Sequence, residues 1–130
     1  MANSAVTTTE DYAFIPFLGA HPPVLEVITL ASTGAQVDIP AGTVLGTVTA
    51  SNKQVKLAPG ASDGSQTPTH ILAEDTTVPA AGDAVSRGYV HGTVLDRGLT
   101  WPGGITAPQK AAAIAALRDA GIYVTLKQPA

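Results

Sequence analysis

Cysteine is absent from all 130 residues, so neither a disulfide framework nor a thiolate metal site is available, and stability has to come from packing or assembly. Charge is scarce too: Asp, Glu, Lys and Arg make up 13% of the chain, with a net charge of −3. The seven basic residues are scattered. That argues against a nucleic-acid partner, because binding a phosphate backbone needs clustered Lys and Arg. No apolar run approaches the ~20 residues of a membrane span, so no membrane partner is implied. The N-terminal stretch MANSAVTTTEDYAFIPFLGA lacks a basic leader and is interrupted by Glu10 and Asp11, unlike a signal peptide. The expectation is a soluble protein made in the cytosol. A chain this poor in solubilising groups often has much of its surface covered by other protein.

What is present is turn chemistry. Thirteen glycines and ten prolines punctuate short apolar runs, the pattern of a turn-rich β protein, and the length suits one domain. Two parts are expected, an N-terminal arm over residues 1–23 and a β-rich domain over 24–130. The arm concentrates Tyr12, Phe14, Ile15, Phe17 and Leu18, with Thr7 and Thr8 before them. It reads either as an edge strand folded onto its own domain or as an extended arm that adds to a partner's sheet. Strands are expected at Val24 to Leu30, Val37 to Ile39, Thr43 to Ala50, Gln54 to Leu57, His70 to Ala73 and Thr76 to Val78. Ala84 to Leu95 reads as one long strand bent at Gly88 and Gly92, and Gly46 signals a bulge or a close backbone approach.

The stretch from Leu99 to Lys127 specifies its own structure most fully. Thr106 and Gln109 form a capping box, Pro108 sits in the first turn, and alanine dominates from Ala107 to Ala120. A helix over 107–120 follows, with Ile114 and Leu117 on its apolar face and Lys110, Arg118 and Asp119 outside that face. Gly121 supplies a left-handed stop, Ile122 is placed to touch Leu117, and the alternating IYVTLK reads as a closing strand. Trp101, the sole tryptophan, reads as a core plug before the helix, with an interface role as the alternative.

Catalytic and metal-binding patterns are weak. Gly60-Ala61-Ser62-Asp63-Gly64 fits G-x-S-x-G, yet no helix pattern follows, so an Asp-Gly turn is the better reading than a Ser62 esterase. His21, His70 and His91 lack metal-ligand spacing, and no phosphate-cradling motif is present. No enzyme activity, cofactor or metal is implied.

Three motifs in order carry a family resemblance: the GTVLG strand at 42–46, the ASDGSQT loop at 61–67, and the TWP, helix and Gly-Ile series at 100–122. Over roughly Thr29 to Val124 the chain resembles the phage head decoration protein family, the lambda-type capsid-stabilising proteins. The resemblance implies a mainly β fold with one C-terminal helix, a bent β-ribbon of β-clip type. It further implies a homotrimer on the outer surface of the virion head, at three-fold and quasi-three-fold positions, clamping the major capsid protein after expansion. The resemblance implies an N-terminal arm that orders on the capsid by pairing with strands of the shell protein, and the apolar cluster read above, with the threonines before it, makes Thr7, Thr8, Tyr12, Phe14, Ile15, Phe17 and Leu18 the expected shell contacts. Trp101, Thr106, Gln109, Leu117, Gly121 and Ile122 are the expected anchors of the body. A phage surface adhesin for host glycan or protein is the alternative of another class.

Overall fold

The computed structural model describes residues 23–125. It is mainly β with one C-terminal helix: strands β1 (Val24–Leu30), β2 (Val37–Ile39), β3 (Val44–Val48), β4 (Lys53–Lys56), β5 (Pro68–Leu72), β6 (Thr76–Val78), β7 (Ala84–Leu95) and β8 (Ile122–Thr125), with helix α1 (Ala107–Ala120). A single 3₁₀ turn at Asp96–Gly98 follows β7.

Six strands run in the order β1, β4, β3, β5, β7, β8, and β1 also pairs with β7, so the first five close into a small barrel-like sheet. Closure is thin on one side, where β1 meets β4 through Leu30 opposite Gln54 alone. The β7 strand is twelve residues long and serves three partners: β1 along its first part, β5 at Gly88 and Tyr89, and β8 in parallel from Gly92 to Leu95. The short strands β2 and β6 pair only with each other, forming a separate antiparallel ribbon.

Strands β3 and β5 are buried on both faces, because neighbouring residues point to opposite sides. On one side Val44 and Ile71 meet Leu57, Tyr89, Val94, Ala113, Leu117 and Ile122, under the helix. On the other, Leu45 and Leu72 meet Ile28 and Leu30 of β1 and Ile39 and Val78 of the ribbon. The alternation VLG on β3 and HIL on β5 thus feeds two cores at once.

Helix α1 begins at a complete capping box: Gln109 N donates to Thr106 Oγ1 (3.2 Å), and Thr106 N donates to Gln109 Oε1 (2.9 Å). It ends at Gly121, whose φ of 109° is left-handed and whose amide donates to Arg118 O (3.0 Å). Its packed face differs from the expected one. Ala113 and Leu117 are the buried residues, while Ile114 is only half-buried. Lys110, expected outside, is half-buried: its Nζ lies 3.0 Å from Asp96 Oδ1 and 5.3 Å from the Trp101 ring centroid. Residues 110, 113 and 117 share one helical face, and the aliphatic stem of a lysine can lie along apolar surface while its ammonium reaches a partner.

Thr106→Ala removes the acceptor for the Gln109 amide, and the expected loss of stability is about 1 kcal/mol. A thermal melt checks this; an unchanged midpoint would show that the cap contributes nothing.

Candidate interaction surface

Five large apolar side chains stand exposed among the described residues, and four of them lie on the β1/β7 ribbon: Val24 (51%), Leu25 (40%), Val27 (69%) and Val85 (73%). The first four residues of β1 are all exposed, and burial begins only at Ile28. On β1 the charged Glu26 shares the inward parity with Ile28 and Leu30, while Leu25, Val27 and Thr29 share the outward one. Cross-strand register sets Thr29 against Val85 and Val27 against Arg87, which puts the two exposed valines on one diagonal of the same face. A register shift between Val24 and Leu25 turns the start of the strand, so both of these neighbours are exposed.

One edge of this ribbon is open. From Val24 to Ile28 the side of β1 away from β7 has no strand against it among the described residues. Only at the far end is it met, by the Gln54 side chain on Thr29 N (3.2 Å) and by Ala31 N donating to Gln54 O (3.0 Å). An unpaired strand edge with apolar side chains is a template for adding another strand. Charges at the rim are self-satisfied: Arg87 Nη2 lies 3.0 Å from Glu74 Oε2 at the surface, a pair that contributes little to stability.

The expected arm residues Thr7, Thr8, Tyr12, Phe14, Ile15, Phe17 and Leu18 lie outside the described residues, as does His21. The expected anchors gather around the helix. Leu117 and Ile122 are fully buried in one cluster, and Trp101 packs half-buried at its rim with Nε1 donating to Asp96 Oδ1 (2.9 Å). Thr106, Gln109 and Gly121 form the two helix caps.

Ser62 sits in an irregular loop that runs into β5, without the strand before and helix after that a nucleophile elbow requires. Its neighbour Asp63 turns its carboxylate back onto Ser65, accepting from Ser65 N (3.0 Å) and from the Ser65 hydroxyl. Those bonds hold the Asp63 carboxyl below the ordinary carboxylate range, the hydroxyl bond being the larger cause. Among the described residues no group of three His, Asp or Glu side chains gathers as metal ligands would.

The exposed face of β1/β7 is a site that reading the sequence missed. VLEVITL is apolar at both parities, and that lack of alternation was the available sign that the strand has two apolar faces.

A small β body that gathers four of its five exposed large apolar residues on one ribbon, beside an open strand edge, has the surface of a protein that attaches to other protein. The family model of the bacteriophage lambda head decoration protein D matches residues 7–122, and the chain belongs to that family. It is a phage capsid decoration protein, a structural component of the virion. The match starts well before the Thr29 to Val124 region that carries the recognisable motifs, and so takes in most of the N-terminal arm as well as β1. No curated protein matches the chain.

Proposed function

We propose that this protein binds the outer surface of the expanded phage head as a homotrimer, at three-fold and quasi-three-fold positions, and stabilises the shell by clamping neighbouring major capsid proteins. The N-terminal arm over 1–23 is the primary contact through Thr7, Thr8, Tyr12, Phe14, Ile15, Phe17 and Leu18, and the β-rich domain over 24–130 forms the trimer body. The observation that supports this most is the open, apolar edge of β1, which begins where the arm ends, within a family match that covers both.

The physical logic follows from assembly. Three copies close a ring of head-to-tail contacts, and three arms on one rigid body bind with high effective concentration, so each arm can be weak alone. A protein that binds only the expanded shell stabilises that state by mass action. No catalytic step enters.

Purified protein mixed with undecorated expanded heads should give density at the three-fold positions. Deleting residues 1–23 should leave a folded body that no longer decorates. Val27→Asp combined with Val85→Asp should leave stability within about 0.5 kcal/mol, both sites being exposed, and weaken decoration by about tenfold or more if the ribbon adds to the contact. Absence of density for the intact protein across a range of salt would overturn the proposal. Undiminished decoration by the truncated protein would overturn the arm assignment.

A further inference from the structure

Asp63-Gly64 is the single Asp-Gly step in the chain, and every other aspartate precedes a residue with a side chain. Such a step is prone to isomerise. The Gly64 nitrogen, losing its proton, can bond to Cγ of the Asp63 carboxylic acid, and one carboxyl oxygen leaves as water with both protons. Water then opens the five-membered imide at either carbonyl. One opening restores aspartate; the other leaves isoaspartate, in which the main chain runs through the side-chain carbon. Glycine favours the reaction because it carries no Cβ to hinder the nitrogen. Asp63 is exposed, so water reaches it.

The loop depends on both members of this reactive pair. Gly64 has a φ of 107°, in the left-handed region. A Cβ on it would collide with the Thr49 hydroxyl and lie 2.6 Å from Thr47 O. The Asp63 carboxylate accepts from Ser65 N (3.0 Å) and from the Ser65 hydroxyl, and Ser65 is buried with its backbone close beside Gly46.

The same geometry holds the reaction back. A peptide unit is planar, so Asp63 O and the Gly64 N–H move together. Both are held: Asp63 O accepts from Thr49 N (2.9 Å), and Gly64 N donates to Gln66 Oε1 (2.8 Å). The lone pair uncovered when Gly64 N gives up its proton points where the N–H pointed, at Gln66 Oε1, which occupies the space the attacked carbon would need. Reaching Cγ requires the plane to turn, and turning it breaks both bonds. Ala58 N on Ser65 O (3.0 Å) and Thr67 N on Gly64 O (3.2 Å) brace the loop against that turn. The Ser65 hydroxyl, and after it the Ser65 amide, also hold the Asp63 carboxyl below its ordinary range, which favours the carboxylate, the poorer electrophile.

We propose that Asp63-Gly64 is a latent modification site, at which isoaspartate forms only when the 58–67 loop opens locally, and that the doubly pinned peptide plane is what keeps it closed. Isomerisation would exchange the roles of the carbonyl that meets Thr49 and the carboxylate that meets Ser65, and would lengthen the main chain by one carbon. Both anchors of the loop are then displaced together, so the modified protein loses the brace beside Gly46.

Isoaspartate is counted by peptide mapping with electron-transfer fragmentation, which separates the two linkages, after incubation of the intact protein at neutral pH beside a free peptide of residues 58–67. The protein should isomerise at least about tenfold more slowly than the peptide, since only the open population reacts. Gln66→Ala frees one end of the plane and should raise the rate about two- to tenfold, the worth of one hydrogen bond. Gly46→Ala, whose Cβ would lie 2.5 Å from Ser65 O, should raise it further, while Gly60→Ala, with nothing within 4 Å of its Cβ, should keep the native rate. Val78→Ala empties a fully buried site in the core that the ribbon shares with β1, away from this loop, and should also leave the rate near native. A native protein that isomerises as fast as the peptide would overturn the proposal, as would Gln66→Ala at the native rate. So would Gly46→Ala and Val78→Ala accelerating alike, because the reaction would then run from global unfolding and not from the opened loop.

Discussion

Leu117→Ala should lower the stability of the body by about 2–5 kcal/mol, the range for emptying a well-packed leucine site. The helix is attached to the sheet through a very thin contact. Of its fourteen residues only Ala113 and Leu117 are buried, and Leu117 alone is both large and fully enclosed, against a cluster that includes Val44, Ile71, Tyr89, Val94 and Ile122. Alanine is the better helix former, so the substitution cannot act by weakening the helix itself. The whole effect therefore reports the cavity and the lost contacts. Because Ile122 sits in the same cluster and starts β8, loosening the helix also loosens the parallel pairing of β8 with β7 from Gly92 to Leu95. Trp101 packs on the rim of this cluster, so its fluorescence gives a second readout beside the denaturant midpoint. For a domain whose total stability is of order 5–15 kcal/mol, a loss of this size is a large fraction. A change under about 1 kcal/mol would show that the helix is held by something other than Leu117.

Leu117 also marks how far the fold could be read from sequence. The helix and its two ends were legible because each boundary has local chemistry: Thr106 and Gln109 at the start, Gly121 at the stop. Strand positions were legible for a similar reason, since Pro40-Ala41-Gly42, Ser51-Asn52 and Pro79 to Gly82 interrupt the apolar runs. Pairing was not legible. That β2 joins β6 and that β1 closes on β4 through Leu30 and Gln54 depends on contacts far apart in sequence. The face of β1 was hidden as well. Glu26 shares the parity of the buried Ile28 and Leu30 yet stays exposed, reaching His70 Nε2 (3.3 Å), a partner 44 positions away, while Leu25 and Val27 take the other parity. Lys110 departs from expectation for a simpler reason: a charged side chain need not be exposed, and at helical spacing with residues 113 and 117 its ammonium finds Asp96. The arm differs from all of these, since residues 1–22 lie outside the described part and the role proposed for it rests on the sequence pattern.

Gly46→Ala should cost about 2–4 kcal/mol, by overpacking and broken backbone hydrogen bonds. The backbone of Gly46 is not in the left-handed region, so the constraint is space alone. A Cβ built there would lie 2.5 Å from Ser65 O, 2.8 Å from Ser65 Cα and 2.9 Å from Ser65 C, all of them backbone atoms that cannot swing aside as a side chain can. The loop carrying Ser65 would have to move, and it is tied down on both sides: Ala58 N donates to Ser65 O (3.0 Å) and Thr49 N to Asp63 O (2.9 Å). Gly60→Ala is the matched control, since a Cβ at Gly60 meets nothing within 4 Å, and its effect should stay within about 0.5 kcal/mol. The displacement also leaves a signature in pH. In the native loop Asp63 is held below its ordinary range by the Ser65 hydroxyl and amide, so the stability it contributes is present above its unfolded pKa and is lost as the pH falls through the folded value. A shifted loop forfeits that contribution at neutral pH and has nothing left to lose in acid. The stability gap between the native protein and Gly46→Ala should therefore be widest near neutrality and narrow as Asp63 takes up its proton. A gap that stays constant across that range would place the damage on β3 alone and leave the Ser65 loop where it is.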